Sequence, residues 1–334
     1  LDLSAENVIY VASRLWAYFR FRASDLVPVG IVKELYVYPI KSCKGISVSV
    51  FSFYCDKLGP ISGENLDRHF IVVDGKTGRF LTGREKPVMV TIECEVREGI
   101  LCVRSRDGNT VQVDIEKVHK AKAVKTARLQ FNLRADGLDC GDEAAVFFST
   151  VLEEPDARLL MYARDLFNER TVVTSPDWWN NNVPKRKEDV KRLIFRCAYA
   201  NLTPLMIATQ ASLDDLNSRL EKEVTMAQFR PVIVVEKCPA WDEDKWLDLK
   251  IGDTCLQCFK PCQRCLLITV DADTGIKNTN MQPMKMLREF RLAPDGKMRE
   301  EFKDSPIFGV NAGVDVGYIH VGQTVYARYK KSAF

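Results

Sequence analysis

The sequence predicts an α+β fold that is mainly β, built from antiparallel strands with a few short helices. Three observations predict it. Apolar and polar residues alternate with period two in repeated short runs, those runs are bounded by Gly, Asp or Asn, and stretches of helical periodicity are few. The 334 residues argue for two domains at ~150 residues each. With 46% hydrophobic and 28% charged residues the composition is that of a globular chain, which excludes collagen, coiled coil and wholesale disorder. Forty-eight basic against 45 acidic residues leave a net charge of +3, too weak a field for a dedicated nucleic-acid binder. No nucleic-acid partner is expected.

Residues 1–27 read as an anchor stub or interfacial helix. Val8 to Phe21 is apolar and aromatic, but Ser13, Arg14 and Arg20 break it and it is shorter than the ~20 apolar residues of a spanning helix. A helix packed on its own domain fits the pattern equally well. The sequence starts at Leu1 and bears neither way on an upstream targeting segment.

Residues 28–167 read as a β-rich domain. From Val29 the alternation places Val32, Glu34, Tyr36 and Tyr38 on one face and Lys33, Leu35 and Val37 on the other, and a second run spans Ile46 to Tyr54. Short strands are expected at Phe70–Asp74, Met89–Glu93, Leu101–Val103 and Val111–Val113, the spacing of an antiparallel barrel or sandwich. A helix starts near Asp142 as N-cap, carries Ala145, Phe148 and Leu152 on one face, and stops before Pro155. Residues 168–190, with Ser175-Pro176, Trp178-Trp179, three Asn and the basic run Lys185–Lys187, read as a surface loop and domain boundary. The tandem tryptophans either border a substrate mouth or pin the loop down.

Residues 191–330 form the second domain. It restarts with Ile194–Tyr199, then a capping-box-like start at Ser212 with Leu213, Leu216 and Leu220 at helical spacing. Pro231–Val235 is a buried strand, Leu247–Lys250 and Thr254–Phe259 flank the turn Gly252-Asp253, and Cys265–Val270 is a strand running into the turn Asp271–Gly275. A short helix from Pro283, a flexible Gly-rich stretch and a hairpin around Gly322 close the chain.

Eleven scattered cysteines suggest a reducing compartment, and three histidines far apart leave little for a His-rich metal site. The densest feature is Cys255, Cys258, Cys262 and Cys265 within eleven residues. A zinc or iron–sulfur cluster is opposed by the spacing and by the strand, on which residues three apart face opposite ways. Cys255 and Cys258 then behave as small buried hydrophobes. Cys265 differs, because it follows Arg264 and a turn at Lys260-Pro261, and a neighbouring cation lowers a thiol pKa. It is either an activated nucleophile or soft-metal ligand, or a structural thiol. Asp273-Thr-Gly275 resembles an aspartic-protease signature without a second copy, and Asp271-x-Asp273 fails as a calcium loop at Gly275 and Gln282. Lys41-Ser42, Arg68, Arg84, Arg230 and Arg264 stand at strand ends and turns, where they either converge on an anionic ligand or act as separate surface charges.

Tyr38-Pro-Ile-Lys-Ser-Cys-Lys-Gly45, Phe229-Arg-Pro231 and Arg264-Cys265-Leu-Leu-Ile-Thr-Val-Asp-Ala-Asp-Thr-Gly275 resemble the signatures of the MOSC family, which is named for the C-terminal domain of molybdenum cofactor sulfurase. Within it the chain most resembles the mitochondrial amidoxime-reducing components, collinearly from about Gly30 to Tyr329. The resemblance implies an antiparallel β-barrel MOSC domain, a β-rich N-terminal MOSC-associated domain, and molybdopterin held between them. It implies that Cys265 binds molybdenum, and that Lys41, Ser42, Arg68, Thr203, Arg230 and Arg264 contact the cofactor. Three positions depart from the pattern: Asn201 stands where the family has a carboxylate, Thr203 where it has Ser, and Val232 where an Asn is usual. An amide cannot ionise, so proton relay at Asn201 is lost, whereas Thr203 keeps the hydroxyl.

The resemblance further implies two-electron reduction of small N-hydroxylated substrates, amidoximes or hydroxylamines. NADH would supply electrons through cytochrome b5 reductase and cytochrome b5. It also implies membrane attachment through the N-terminal segment, at the mitochondrial outer membrane with the catalytic part facing the cytosol, the peroxisome being the alternative site. The competing function is a non-catalytic carrier of the molybdenum cofactor or of sulfur.

Overall fold

In the computed structural model, residues 25–48, 52–56, 58–169, 198–200, 203–330 and 333 are described. Residues 1–24 of the expected anchor segment 1–27, the loop tryptophans Trp178 and Trp179, the Ile194 run up to 197, and Asn201 lie outside them.

The first half is short strands joined by tight turns. They are β1 Val27–Val37, β2 Ile46–Ser47, β3 Ser52–Asp56, β4 Gly59–Ser62, β5 Asn65–Leu66, β6 Phe70–Asp74, β7 Glu93–Arg97, β8 Ile100–Arg104 and β9 Thr110–Asp114, followed by β10 Val124–Arg128, β11 Arg134–Asp139 and β12 Ala157–Met161. Two helices interrupt them, α1 Ile115–Ala121 and α2 Asp142–Leu152. β7–β8–β9 is an antiparallel meander and β10–β11–β12–β6 a second antiparallel sheet. Helix α2 packs Ala144, Phe147, Phe148 and Leu152 into the core they share with Val72, Leu101, Val103 and Leu159.

The second half contributes β13 Leu205–Thr209, β14 Ile233–Glu236, β15 Trp246–Ile251, β16 Thr254–Gln263, β17 Ile307–Val314, β18 Gly317–His320 and β19 Thr324–Tyr329. Its helices are α3 Gln210–Asn217, α4 Met226–Phe229, α5 Met284–Phe290 and α6 Lys297–Phe302. Strands run β14-β13-β17-β16-β15-β19-β1, and β1 pairs again with β14, so the sheet closes into a seven-strand barrel. One stave, β1, therefore comes from the N-terminal part of the chain. Six of the contacts around the barrel are antiparallel, and β13–β14 is parallel. That pair needs a long crossover, which α3 and α4 provide. The barrel is filled by Val32, Leu35, Ile207, Ile233, Trp246, Leu249, Leu256 and Val325.

Several expectations change in the folded chain. In β1 the inward residues are Val29, Val32, Leu35 and Val37, because register shifts between Pro28 and Gly30 and between Val32 and Glu34 interrupt the alternation. Val32 and Glu34 therefore do not share a face. The Ile46–Tyr54 run divides into β2 on the barrel sheet and β3 on another. Pro87 starts a 3₁₀ turn, Pro87–Thr91, where a strand from Met89 was expected. Gly141, not Asp142, precedes the first residue of α2, and α3 is capped by Thr209, whose hydroxyl accepts from the Ser212 N–H. Lys260-Pro261 is not a turn but part of β16, which bulges there. The Cys265–Val270 strand is instead a 3₁₀ helix, Leu266–Thr269, with Thr269 Oγ1 donating back to the Leu266 carbonyl. The Gly-rich stretch is the buried strand β17. β18 and β19 flank Gly322 but pair with β3 and with β1 and β15 respectively, so they do not form a hairpin.

Candidate functional site

Where the N-terminal sheets meet the barrel, the chain stacks two guanidinium groups on one tyrosine ring. Tyr38 follows β1 and is buried, its hydroxyl donating to the Pro231 carbonyl at 2.9 Å and its N–H donating to Asp67 Oδ1 at 2.9 Å. The Arg68 and Arg230 guanidinium carbons lie 4.5 and 4.3 Å from its ring centroid. Cation–π attraction favours both placements. Burial pushes the Tyr38 hydroxyl up to about 12, so the ring is neutral.

Backbone conformation marks the same residues. Ser42, Arg68 and Arg230 all have left-handed φ, at 72°, 47° and 54°. Each costs on the order of 1 kcal/mol for a residue with a Cβ, and such strain clusters at functional sites. Local structure holds each one. Ser42 sits in the Lys41–Cys43 turn, the Arg68 N–H donates to the Tyr38 carbonyl at 2.6 Å, and Arg230 closes α4 by donating its N–H to the Ala227 carbonyl at 3.2 Å.

The other predicted residues are tied in by short links. Lys41 is buried, with its Nζ donating to the Tyr199 carbonyl at 2.7 Å, and the Tyr199 N–H donates to the Arg68 carbonyl at 3.0 Å. Arg264 donates to the Phe229 carbonyl beside Arg230 and to Cys262 Sγ at 3.0 Å. Cys265 follows it, exposed, as the cap of the 3₁₀ helix. Gly83 brings the loop after Leu81 against that helix, since a Cβ there would lie 2.8 Å from the Leu267 side chain and 3.8 Å from Ser42 Cβ. Thr203 is buried at the entry to β13, its hydroxyl 2.7 Å from the Leu205 carbonyl and 3.3 Å from Asn311 Oδ1, and Pro204 adjoins the Asp67 neighbourhood across Gly59. Arg84 is exposed, next to Gly83. Val232 packs inside the barrel.

A cleft of about 230 Å³ opens beside this group, lined by Tyr38, Lys44, Val90, Gln228, Arg230 and Leu267 among others, and thus by both halves of the chain. Two donors buried in the region have no partner among the described residues, Arg230 Nη2 and Arg264 Nε. An orphaned guanidinium N–H is costly without a ligand to accept from it. The carboxylate among them, Asp67, is engaged by Arg68 and the Tyr38 N–H, and burial raises its pKa. Cationic and hydroxyl donors with one spent carboxylate suit an anionic, polar ligand.

Sequence reasoning missed Tyr38 and Asp67 as parts of this arrangement. The signal available was local: Tyr38 opens the Tyr-Pro-Ile-Lys-Ser motif and Asp67 precedes Arg68. The four-cysteine cluster does not assemble. Cys255 and Cys258 are buried, Cys262 is half-buried and Cys265 exposed, and among the described residues no group of three or more His, Cys, Asp or Glu is placed to hold a metal. A metal at Cys265 would bring most of its ligands with it.

Family comparison matches residues 29–155 to the MOSC N-terminal beta barrel domain and residues 195–326 to the MOSC domain. Among curated relatives, mitochondrial amidoxime reducing component 2 of Bos taurus is 35% identical over 91% of this chain and 85% of its own length. The human protein of that name is also 35% identical, with the same coverage. Mitochondrial amidoxime-reducing component 1 of Xenopus laevis is 34% identical over 98% of this chain and 92% of its own.

Proposed function

The chain belongs to the MOSC family, among the mitochondrial amidoxime-reducing components, and from that premise we propose that it is a molybdenum-cofactor-dependent reductase of N-hydroxylated substrates. The observation that carries the reading is the pair of buried N–H donors without a partner among the described residues, Nη2 of the left-handed Arg230 and Nε of Arg264, the latter next in sequence to the exposed Cys265 thiol. These donors fit a pterin that bears a phosphate. Arg68, Arg230 and Arg264 would take its oxygens as forked donors, Lys41 would add a point charge, and Ser42 and Thr203 would add hydroxyls. Cys265 would hold the metal through its sulfur.

When bound, the molybdenum cofactor supplies the two-electron exchange that removes oxygen from the N-hydroxyl group. The chain's own part is orientation and field. Tyr38 positions the Arg68 and Arg230 guanidiniums against its ring, and the cation cluster favours an anionic ligand over a neutral one. Asn201, an amide, carries no proton to the departing water, so proton delivery falls to other groups or to solvent. Electrons from NADH through cytochrome b5 reductase and cytochrome b5, and a place on the mitochondrial outer membrane facing the cytosol, belong to the same proposal and rest on the family resemblance, the names of the relatives supporting only a mitochondrial amidoxime-reducing role. Among the described residues no helix is long and apolar enough to cross a membrane.

The test is metal analysis of the purified chain together with benzamidoxime reduction in a reconstituted NADH, reductase and cytochrome b5 system. Near-stoichiometric molybdenum with turnover is expected, and Cys265→Ala should lose both while its circular dichroism is unchanged. Molybdenum without turnover would favour the carrier. Turnover retained by Cys265→Ala would end the assignment.

A further inference from the structure

The β10–β11 hairpin presents a surface that the reductase reading does not use. From Lys117 to Ala135 the chain carries Lys117, Lys120, Lys122, Lys125, Arg128 and Arg134 with no Asp or Glu among them. At the tip, Phe131 is 93% exposed and Leu133 is exposed beside it. Phe131 and Asn132 both adopt left-handed φ, 61° and 59°, which holds the ring away from the sheet. A protruding aromatic with a basic collar is the composition of a peripheral membrane contact.

A second observation lies on the same strand. Lys125, Thr126 and Arg128 line a polar cleft of about 240 Å³ whose other wall is the turn Asp74–Gly78, with Lys76 and Thr77. The turn can lie this close only because it has glycines. A Cβ on Gly78 would fall 2.5 Å from the Thr126 carbonyl oxygen, and one on Gly75 would fall 2.6 Å from that of Asp156. The acids around the cleft are occupied. Asp74 Oδ1 accepts from the N–H groups of Lys76 and Thr77, Asp156 pairs with Lys76, and Glu85 pairs with Arg79. Asp139 is 3.7 Å from Lys125 but is held at 2.7 Å by Arg158, and Arg134 pairs with Asp136. Arg128 has no ion pair among the described residues and stands three positions before Phe131.

We propose that this hairpin docks on an anionic lipid surface, with Phe131 inserted among the acyl chains and lipid phosphates drawn to the Lys125 and Arg128 cations that line the cleft. The contact is separate from the N-terminal segment and from the crevice at Tyr38. A flat, soft, negatively charged partner fits a convex tip flanked by cations better than an acidic protein does, because a protein would need a pocket to receive the ring.

The test is partition of the full chain between buffer and phosphatidylcholine vesicles made with and without phosphatidylserine, with thermal midpoints as a folding control. The wild-type chain should bind the phosphatidylserine vesicles more tightly. Lys125→Ala/Arg128→Ala should weaken that binding on the order of tenfold. Phe131→Ser should weaken it by about fivefold. Any contribution of the N-terminal segment is common to all three chains and cancels in the comparison. Equal partition of the three proteins overturns the proposal. So does inorganic phosphate raising the wild-type but not the double-variant midpoint while vesicle binding is unaffected, which marks a free-phosphate site. Binding of poly-glutamate that needs Lys125 and Arg128 but not Phe131, without dependence on phosphatidylserine, would point to an acidic polypeptide and also overturn it.

Discussion

Two regions of this chain bury charge, and they do so to opposite ends. At one end of the barrel Asp242, Glu243 and Asp244 are buried in succession. Each is answered from within the chain: Asp242 accepts from the Trp246 indole and the Tyr329 hydroxyl, Glu243 from Thr209 and Ser212, and Asp244 pairs with the buried Arg291 at 2.6 Å. At the crevice, Arg230 and Arg264 stack on aromatic rings and each keeps a buried N–H without a partner among the described residues, and the backbone is left-handed at Ser42, Arg68 and Arg230. The acids accept mainly from groups of the chain itself, although Glu243 Oε1 and Asp244 Oδ1 have no partner among the described residues, and burial of Glu243 costs stability once it ionises. The crevice is left open and strained, which is how a binding site differs from a structural network.

The comparison breaks most sharply at the Asp244–Arg291 pair. Removing one partner of a buried ion pair leaves the other charge uncompensated, so Asp244→Ala should lower unfolding free energy by about 3–5 kcal/mol, read from urea midpoints. The protein that remains folded should retain its cofactor. Loss of molybdenum from the folded fraction would show that the two regions are not independent.

Next in size is a pH dependence carried mainly by Glu243 of the acidic cluster. Burial and the neighbouring Asp244 push the Glu243 carboxyl up to about 7. In the unfolded chain it titrates near the ordinary 4.5, so between those values the folded chain binds a proton that the unfolded chain has released. Stability therefore falls as pH rises from about 4.5 to about 7 and then levels, by on the order of 3 kcal/mol from this group. Glu243→Gln should flatten that slope in denaturation series across the range. A slope unchanged by the substitution would assign the effect to Asp244 or Asp67, whose carboxyls burial also raises.

The two regions also differed in how far they could be read from sequence. Arginines and a lysine at strand ends and turns were candidates for an anion site, but their positions alone left convergence and separate surface charges equally open until the family resemblance and the fold brought them together. Tyr38 gave no such signal, since an aromatic in an alternating run reads as core, and its role exists only once Arg68 and Arg230 fold over its ring. Strand β6 was legible because Gly75 and the polar residues before Phe70 bound an apolar run. β1 misled because its bulges spend residues without advancing the pairing, and the Cys265–Val270 run misled because a short apolar stretch does not distinguish strand from 3₁₀ turn. The acidic cluster was not foreseen at all. Three adjacent acids read as surface, and only the ring of Thr209, Ser212, Arg291, Trp246 and Tyr329 makes their burial tolerable.

The smallest effect sharpens the comparison most. Arg230 has a left-handed backbone that suits glycine, a buried Nη2 without a partner among the described residues, and a guanidinium whose pKa burial lowers. If these features exist for a ligand, the ligand-free fold gains little from them. Arg230→Gly removes the backbone strain and the orphaned donor, and loses the stacking on Tyr38, so the thermal stability of the cofactor-free chain should stay level or rise by about 1 kcal/mol. Retention of the cofactor should fall at least about tenfold, the cost of a charge-assisted hydrogen bond. A fall in cofactor-free stability comparable with that of Asp244→Ala would mean that Arg230 is a structural cation like Arg291, and the contrast between the two regions would be lost.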